Sequence, residues 1–302
     1  MQLTRSVQEY VLLVTVSPIS RADAPRQSLT AGARLAASTV LGSFGVRPFR
    51  ERVRENRSTL NETLPVHSKW WRDHAKERGE LLYVAIGDSA AQGIGASRPD
   101  RSYVGVLADE IRTVTGRTVR VVNLSVSGAT VGLAVQEQLP RFVRLKPDIV
   151  TVAIGANDIA KWDPAAFERG IRTIFAALPP HALVANLPFF YFPRNERKVA
   201  VANRIVRAVA AEHGLTVVPL HTETRQQGIP GMLTQFAIDM FHPNDHGYRV
   251  WADAFAPSLA AQLVERFTAP DAAAHRVTSR STTIAAPVGH AAAGPPDVGG
   301  DA

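Results

Sequence analysis

The chain has 302 residues, 45% hydrophobic and 20% charged, a balance that supports a sizeable core. It has no cysteine, which excludes disulfides, thiolate metal sites and a cysteine nucleophile. The net charge of +7 is uneven: residues 1–79 carry 13 Lys/Arg against 7 Asp/Glu, and residues 80–302 carry 21 against 20. Basicity is therefore local and does not mark the main body as a binder of polyanions.

Residues 1–79 read as a basic N-terminal extension. The apolar run YVLLVTVSPI (Tyr10–Ile19) followed by Ala22-Asp23-Ala24 faintly resembles an export signal. Glu9, Pro18 and Pro25 speak against it, so a cytoplasmic protein is the expectation and export through segment 10–24 the alternative. No apolar run approaches the ~20 residues that span a bilayer. The densest charge lies in RPFRERVRENR (Arg47–Arg57), where Glu51 and Glu55 interleave the arginines. This pattern fits a solvated helix face. No run of interleaved aromatics is there to stack bases, so no nucleic acid is expected. Weak association of residues 47–57 with an anionic membrane surface is the second reading. Trp70 and Trp71 are expected to pack the extension against the body.

Between residues 80 and 267 short β-branched runs alternate with longer amphipathic ones. The predicted strands are LLYVAI (81–86), VRVVNL (119–124), IVTVAI (149–154), ALVANL (182–187) and LTVVPL (215–220). They are nearly all apolar, as strands covered on both faces should be. Helices are predicted near 102–115, 129–144, 164–178, 195–213 and 245–266. Asp163 and Pro164 supply a start signal for the third, as cap and first helical residue. Such alternation predicts a parallel sheet between helical layers: an α/β fold, a flavodoxin-like three-layer α/β/α sandwich with five strands. Residues 268–302, rich in Ala, Pro and Gly, read as a disordered tail.

An open parallel sheet binds its ligands beyond the carboxyl ends of its strands. Gly87-Asp88-Ser89 follows the first predicted strand, Ser125-Val126-Ser127-Gly128 the second and Gly155-Ala156-Asn157-Asp158 the third; Asp239-Met240-Phe241-His242 precedes the last helix. Singly, each is an ordinary turn, cap or loop glycine. Together they supply a complete chemistry. Ser89 needs a base to become a nucleophile. Histidine is the side chain that ordinarily titrates near neutrality, so His242 can be that base. Asp239, three residues earlier, can orient the imidazole and stabilise its cation. The N–H groups of Ser89 and Gly128 and the side-chain amide of Asn157 can form an oxyanion hole. Gly128 leaves the backbone open to the substrate.

The ordered set GDS, SxSG, GxND and DxxH resembles the SGNH hydrolases, the GDSL-type lipase/esterase superfamily. The signature residues would be Ser89, Gly128, Asn157 and His242, with Asp239 as the orienting acid, over roughly residues 80–266. The resemblance implies a flavodoxin-like sheet, a covalent acyl-serine intermediate, and no metal or other cofactor. Ala90 stands where the fourth letter of GDSL is commonly Leu.

Rival readings remain open. His242, Asp245 and His246 in HPNDH have the look of a metal cluster, but Pro243 places His242 ahead of the helix. A non-catalytic acyl- or glycan-binding module fits the same fold, and acyl transfer fits the same triad. The expected partner is a small-molecule, lipid or sugar ester. Phe189, Phe190 and Tyr191, after the fourth predicted strand, are candidates to line an acyl pocket.

Overall fold

A computed structural model of the chain describes residues 62–268. The signal-like segment 10–24, the basic segment 47–57 and the tail 269–302 lie outside the described residues.

The body is one five-stranded sheet, all parallel, in the order β2-β1-β3-β4-β5. Its strands are β1 (Leu81–Gly87), β2 (Val119–Asn123), β3 (Ile149–Ala153), β4 (Leu183–Ala185) and β5 (Thr216–Val218). Register brings Gly87 at the end of β1 level with Ala153 at the end of β3. Successive side chains point to opposite faces, so each strand feeds two cores. Leu81, Tyr83 and Ala85 pack on one side; Val84 and Ile86 pack on the other. This is the doubly wound order whose switch point lies between β1 and β3, where a ligand crevice opens.

Helices cover both faces, as predicted. α1 (Leu64–His74), α2 (Ser89–Gln92) and α3 (Tyr103–Thr115) come first. The run Val131–Leu133, Ala134–Gln138 and Leu139–Phe142 forms α4. α5 (Pro164–Phe175), α6 (Pro193–Glu212), α7 (Leu220–Gln226), α8 (Gly228–Thr234) and α9 (Asp245–Leu263) follow. α3 and α9 share one core with α1, while α4, α5 and α6 build the other. The middle turn of α4 is a wide π turn. Pro140 has no N–H to give to the ladder, and the helix widens just ahead of it. Asp163 caps α5 as its sequence implies, accepting from the N–H groups of Ala165 and Ala166.

Three local differences from the sequence reading have physical causes. The fifth predicted strand ends early, because Leu220 opens α7. Pro219 turns the chain there, and its carbonyl accepts from Thr222 and Glu223. α7 and α8 were not foreseen: they are one or two turns long, and α8 holds Gly228, Pro230 and Gly231, so they carry little periodicity. α1 lies on the N-terminal side of position 80, yet it belongs to the packed body. Its Trp71 is 4% exposed and joins the core of Leu81, Val119 and Val121. Arg120 Nε donates to the Ala75 carbonyl at the helix end (2.7 Å). The two tryptophans thus pack α1, the described part of the extension, against the body, and α1 contacts β2, an outer strand of the sheet.

Candidate active site

β1 ends in Gly87, where only glycine fits: a Cβ there would stand 2.6 Å from Ala91 Cβ and 2.9 Å from the Ala153 carbonyl. The buried Gln138 side chain clamps the same residue, accepting from Gly87 N–H (3.1 Å) and donating to its carbonyl (2.8 Å). From this fixed point the chain turns directly into α2. Asp88 caps it, accepting from Ala90 N–H at 3.0 Å. Ser89 is its first residue, where an N–H has no acceptor within the helix.

The Ser89 hydroxyl meets His242. Oγ and Nε2 are 2.9 Å apart, and Nδ1 of the same ring is 2.6 Å from Asp239 Oδ2. A carboxylate accepts, so Nδ1 carries the proton and Nε2 is left to accept from the serine. Asp239 and His242 are not on a helix. They lie in a tight loop held by Asp239 Oδ1, which accepts from the N–H groups of Phe241 (3.1 Å) and His242 (3.0 Å). Met240 takes the left-handed φ of 53° that this turn requires. All three side chains are buried, Asp239 almost wholly. Burial opposes ionisation of Asp239, but the His242 ring and the two backbone N–H groups outweigh it and hold the carboxyl below its ordinary range.

Gly128 sits third in a turn closed by Ala129 N–H to the Val126 carbonyl. Its φ is 76°, and a Cβ built on it would meet nothing within 4 Å. The backbone here is open on the substrate side. Asn157 reaches the same place, but its amide is committed. Nδ2 donates to the Ala129 carbonyl at 3.0 Å and to Asp88 Oδ2 at 3.2 Å. It thus bridges the neighbour of Gly128 and the neighbour of Ser89. Asp88 is 4% exposed, and burial pushes its carboxyl up to about 6; Asp158 adds repulsion, while Ala90 N–H and the His242 ring oppose the rise.

The aromatic loop after β4 is fastened by side chains. Phe189 N–H donates to Thr224 Oγ1 (2.9 Å), and Phe190 N–H to Glu196 Oε1 (2.6 Å). Phe189 and Tyr191 stand edge to face at 4.7 Å, and Tyr191 meets Phe236 at 5.9 Å. Phe236 pairs with Pro243, so this aromatic row joins the loop that carries Asp239 and His242. Phe190 instead packs on the α4–α5–α6 core. The HPNDH residues diverge: both ring nitrogens of His242 are engaged as above, and the Asp245 carboxylate holds Ser97 through its N–H (2.7 Å) and hydroxyl (2.6 Å).

Sequence reasoning missed the partners of these residues. Gln138 and Asn157's link to Asp88 depend on which helix lies over which strand. For the first, the sequence signal is that Gln138 falls at helical spacing in the apolar stripe of Val131, Ala134 and Phe142.

Residues 85–250 match the profile of the GDSL-like Lipase/Acylhydrolase family. The GDSL-like esterase Rv1075c of Mycobacterium tuberculosis is 26% identical over 227 residues, 70% of this chain and 71% of that protein. Esterase TesA of Pseudomonas aeruginosa is 29% identical over 171 residues, 55% of this chain and 77% of that protein. Among solved structures, TesA superposes with a TM-score of 0.50 at 24% identity, over 60% of this chain and 99% of that one. LAE5, an enzyme from the metagenome of Lake Arreo, superposes with a TM-score of 0.51 at 24% identity, over 62% and 98%. At such identities the superpositions speak to the fold.

Proposed function

Since the chain belongs to the GDSL-like lipase/acylhydrolase family and is a carboxylic ester hydrolase, we propose that it works through an acyl-enzyme on Ser89. His242 Nε2 takes the Ser89 proton as Oγ attacks the ester carbonyl. Asp239 keeps the imidazole in the tautomer that can accept, and balances the imidazolium that forms. The N–H groups of Ser89 and Gly128 receive the developing oxyanion. The imidazolium then protonates the leaving alcohol, and the acyl-serine remains. Water, deprotonated by the same ring, releases the acid and restores Ser89.

The Asn157 amide is the third oxyanion donor in this reading. It must turn from Asp88 Oδ2 toward the anion as charge develops, keeping its bond to the Ala129 carbonyl. Phe189 and Tyr191 are the residues we assign to the acyl-chain wall, with Phe190 behind them.

The observation that supports this most is the continuous chain from Ser89 Oγ through His242 to Asp239, at 2.9 and 2.6 Å. The test is labelling with a fluorophosphonate, read by intact mass and peptide mapping. A single adduct on Ser89, lost in His242→Ala, is expected. An adduct elsewhere, or full labelling of His242→Ala, contradicts the reading.

A further inference from the structure

The nucleophile stands on a helix too short to hold itself. α2 has four residues, and one turn of helix does not persist in water without outside support. Its carbonyls therefore matter, because the last ones have no partner within the helix. Two are met nearby in sequence: Ser89 O by Ile94 N–H and Ala90 O by Gly93 N–H. Ala91 O accepts from Asn123 Nδ2 at 2.7 Å. Gln92 O, the last, accepts twice, from His67 Nδ1 and from Trp71 Nε1, each at 3.0 Å.

These two donors belong to α1, four residues apart and so on one face of it. A carbonyl only accepts, so the His67 proton sits on Nδ1. Both side chains are 4% exposed. Burial keeps the His67 ring below its usual pKa, and the bond to Gln92 only partly offsets this. The neutral ring therefore prevails near neutrality, and it donates without bringing charge into the core. The Gln92 side chain extends the link, since its Nε2 donates to the Ser125 carbonyl at 2.9 Å, at the start of the loop that reaches Gly128. α1 precedes the segment 85–250 that matches the family. Its hold on Gln92 is a contribution from outside that segment.

We propose that His67 and Trp71 are positioning residues for the Ser89 nucleophile, fixing its helix through the Gln92 carbonyl. The proposal rests on the reading of Ser89 as nucleophile. Without the two donors, the Gln92 carbonyl is left buried and unpaired, and α2 must shift to find water. Ser89 Oγ then leaves its place against His242, while the surfaces that bind substrate are untouched.

The test compares wild type, Trp71→Phe, and Trp71→Phe combined with His67→Leu or with His67→Asn, in the full chain and well below each melting temperature. kcat, KM and the rate of fluorophosphonate labelling are measured. For Trp71→Phe/His67→Leu, kcat and the labelling rate are expected to fall roughly 10- to 100-fold with KM changed less than about twofold, as for small misplacements of a reacting group. His67→Asn, which restores a donor, should recover much of that loss. Unchanged kcat and labelling beside a lowered melting temperature would show a structural brace only and overturn the proposal. Should the double variant fail to fold, Trp71→Phe and His67→Leu are read singly: a fall in kcat and labelling rate with KM held in either supports the proposal, and wild-type kcat and labelling in both overturn it. Ser89→Ala run in parallel separates failure of this proposal from failure of the nucleophile assignment.

Discussion

Replacing Asp88 by Asn removes a carboxyl that the fold holds against its preference. In the unfolded chain that group ionises around 3.8; in the fold burial delays this to about 6. Across that window the folded protein keeps a proton that the unfolded chain has released. The stabilising share of the group is therefore whole below pH 3.8 and lost as pH rises through 6. At ~1.4 kcal/mol per pKa unit, the rise amounts to about 3 kcal/mol. Asn cannot ionise and lacks this loss. The stability of Asp88→Asn relative to wild type should climb by about 2.5 kcal/mol between pH 4 and pH 7.5, since a little of the loss has already occurred at pH 4. Urea unfolding followed by circular dichroism, at matched ionic strength, measures it. The acceptor oxygen that Asn lacks offsets the two curves without changing their divergence. Parallel curves would refute the account of a carboxyl that keeps its proton up to about pH 6 behind the serine.

Three further outcomes follow from the same contacts. Gln138→Leu leaves the Gly87 N–H buried and unpaired and its carbonyl with only the long bond from Val126 N–H at 3.4 Å, so unfolding free energy should drop by roughly 1–3 kcal/mol, read by the shift in urea midpoint. Asn157→Ala should lower kcat by about 10²–10³ if the amide serves the oxyanion, and steady-state rates on a soluble ester check this; a loss in stability alone would leave Asn157 as a brace. Gly155→Ala forces a Cβ to within 2.7 Å of Phe167 Cε2 at a φ of 114°. It should cost about 1–3 kcal/mol, and an unchanged melting temperature would contradict that.

The layers of the fold were legible because the strand runs are apolar on both faces and evenly spaced. The alternation of these runs with amphipathic stretches carried the sheet, and strand ends then pointed to Ser89, Gly128 and Asn157. The contact of Ser89, His242 and Asp239 was legible as well, since Asp239 and His242 could be matched to Ser89 by chemical need, and the three side chains do meet. The contacts of Asn157 were not. Asn157 reads as a donor to substrate, yet its amide faces Asp88 and Ala129 because β1 and β3 are neighbours in the sheet. The place of α1 was hidden for a similar reason. Its mixed composition resembles an appendage, and what joins it to the body is tertiary: the burial of His67 and Trp71 and the bond from Arg120 to the Ala75 carbonyl. α7 and α8 are too short to leave a period.

The most direct measurement is the hydrolysis rate of p-nitrophenyl esters from acetate to palmitate by wild type and by Ser89→Ala. Removing the nucleophile of a Ser-His-Asp triad costs about 10⁴-fold or more in kcat. The account predicts an active wild type and a variant reduced to that extent on every ester that the wild type cleaves. A Ser89→Ala variant with wild-type rates would contradict it.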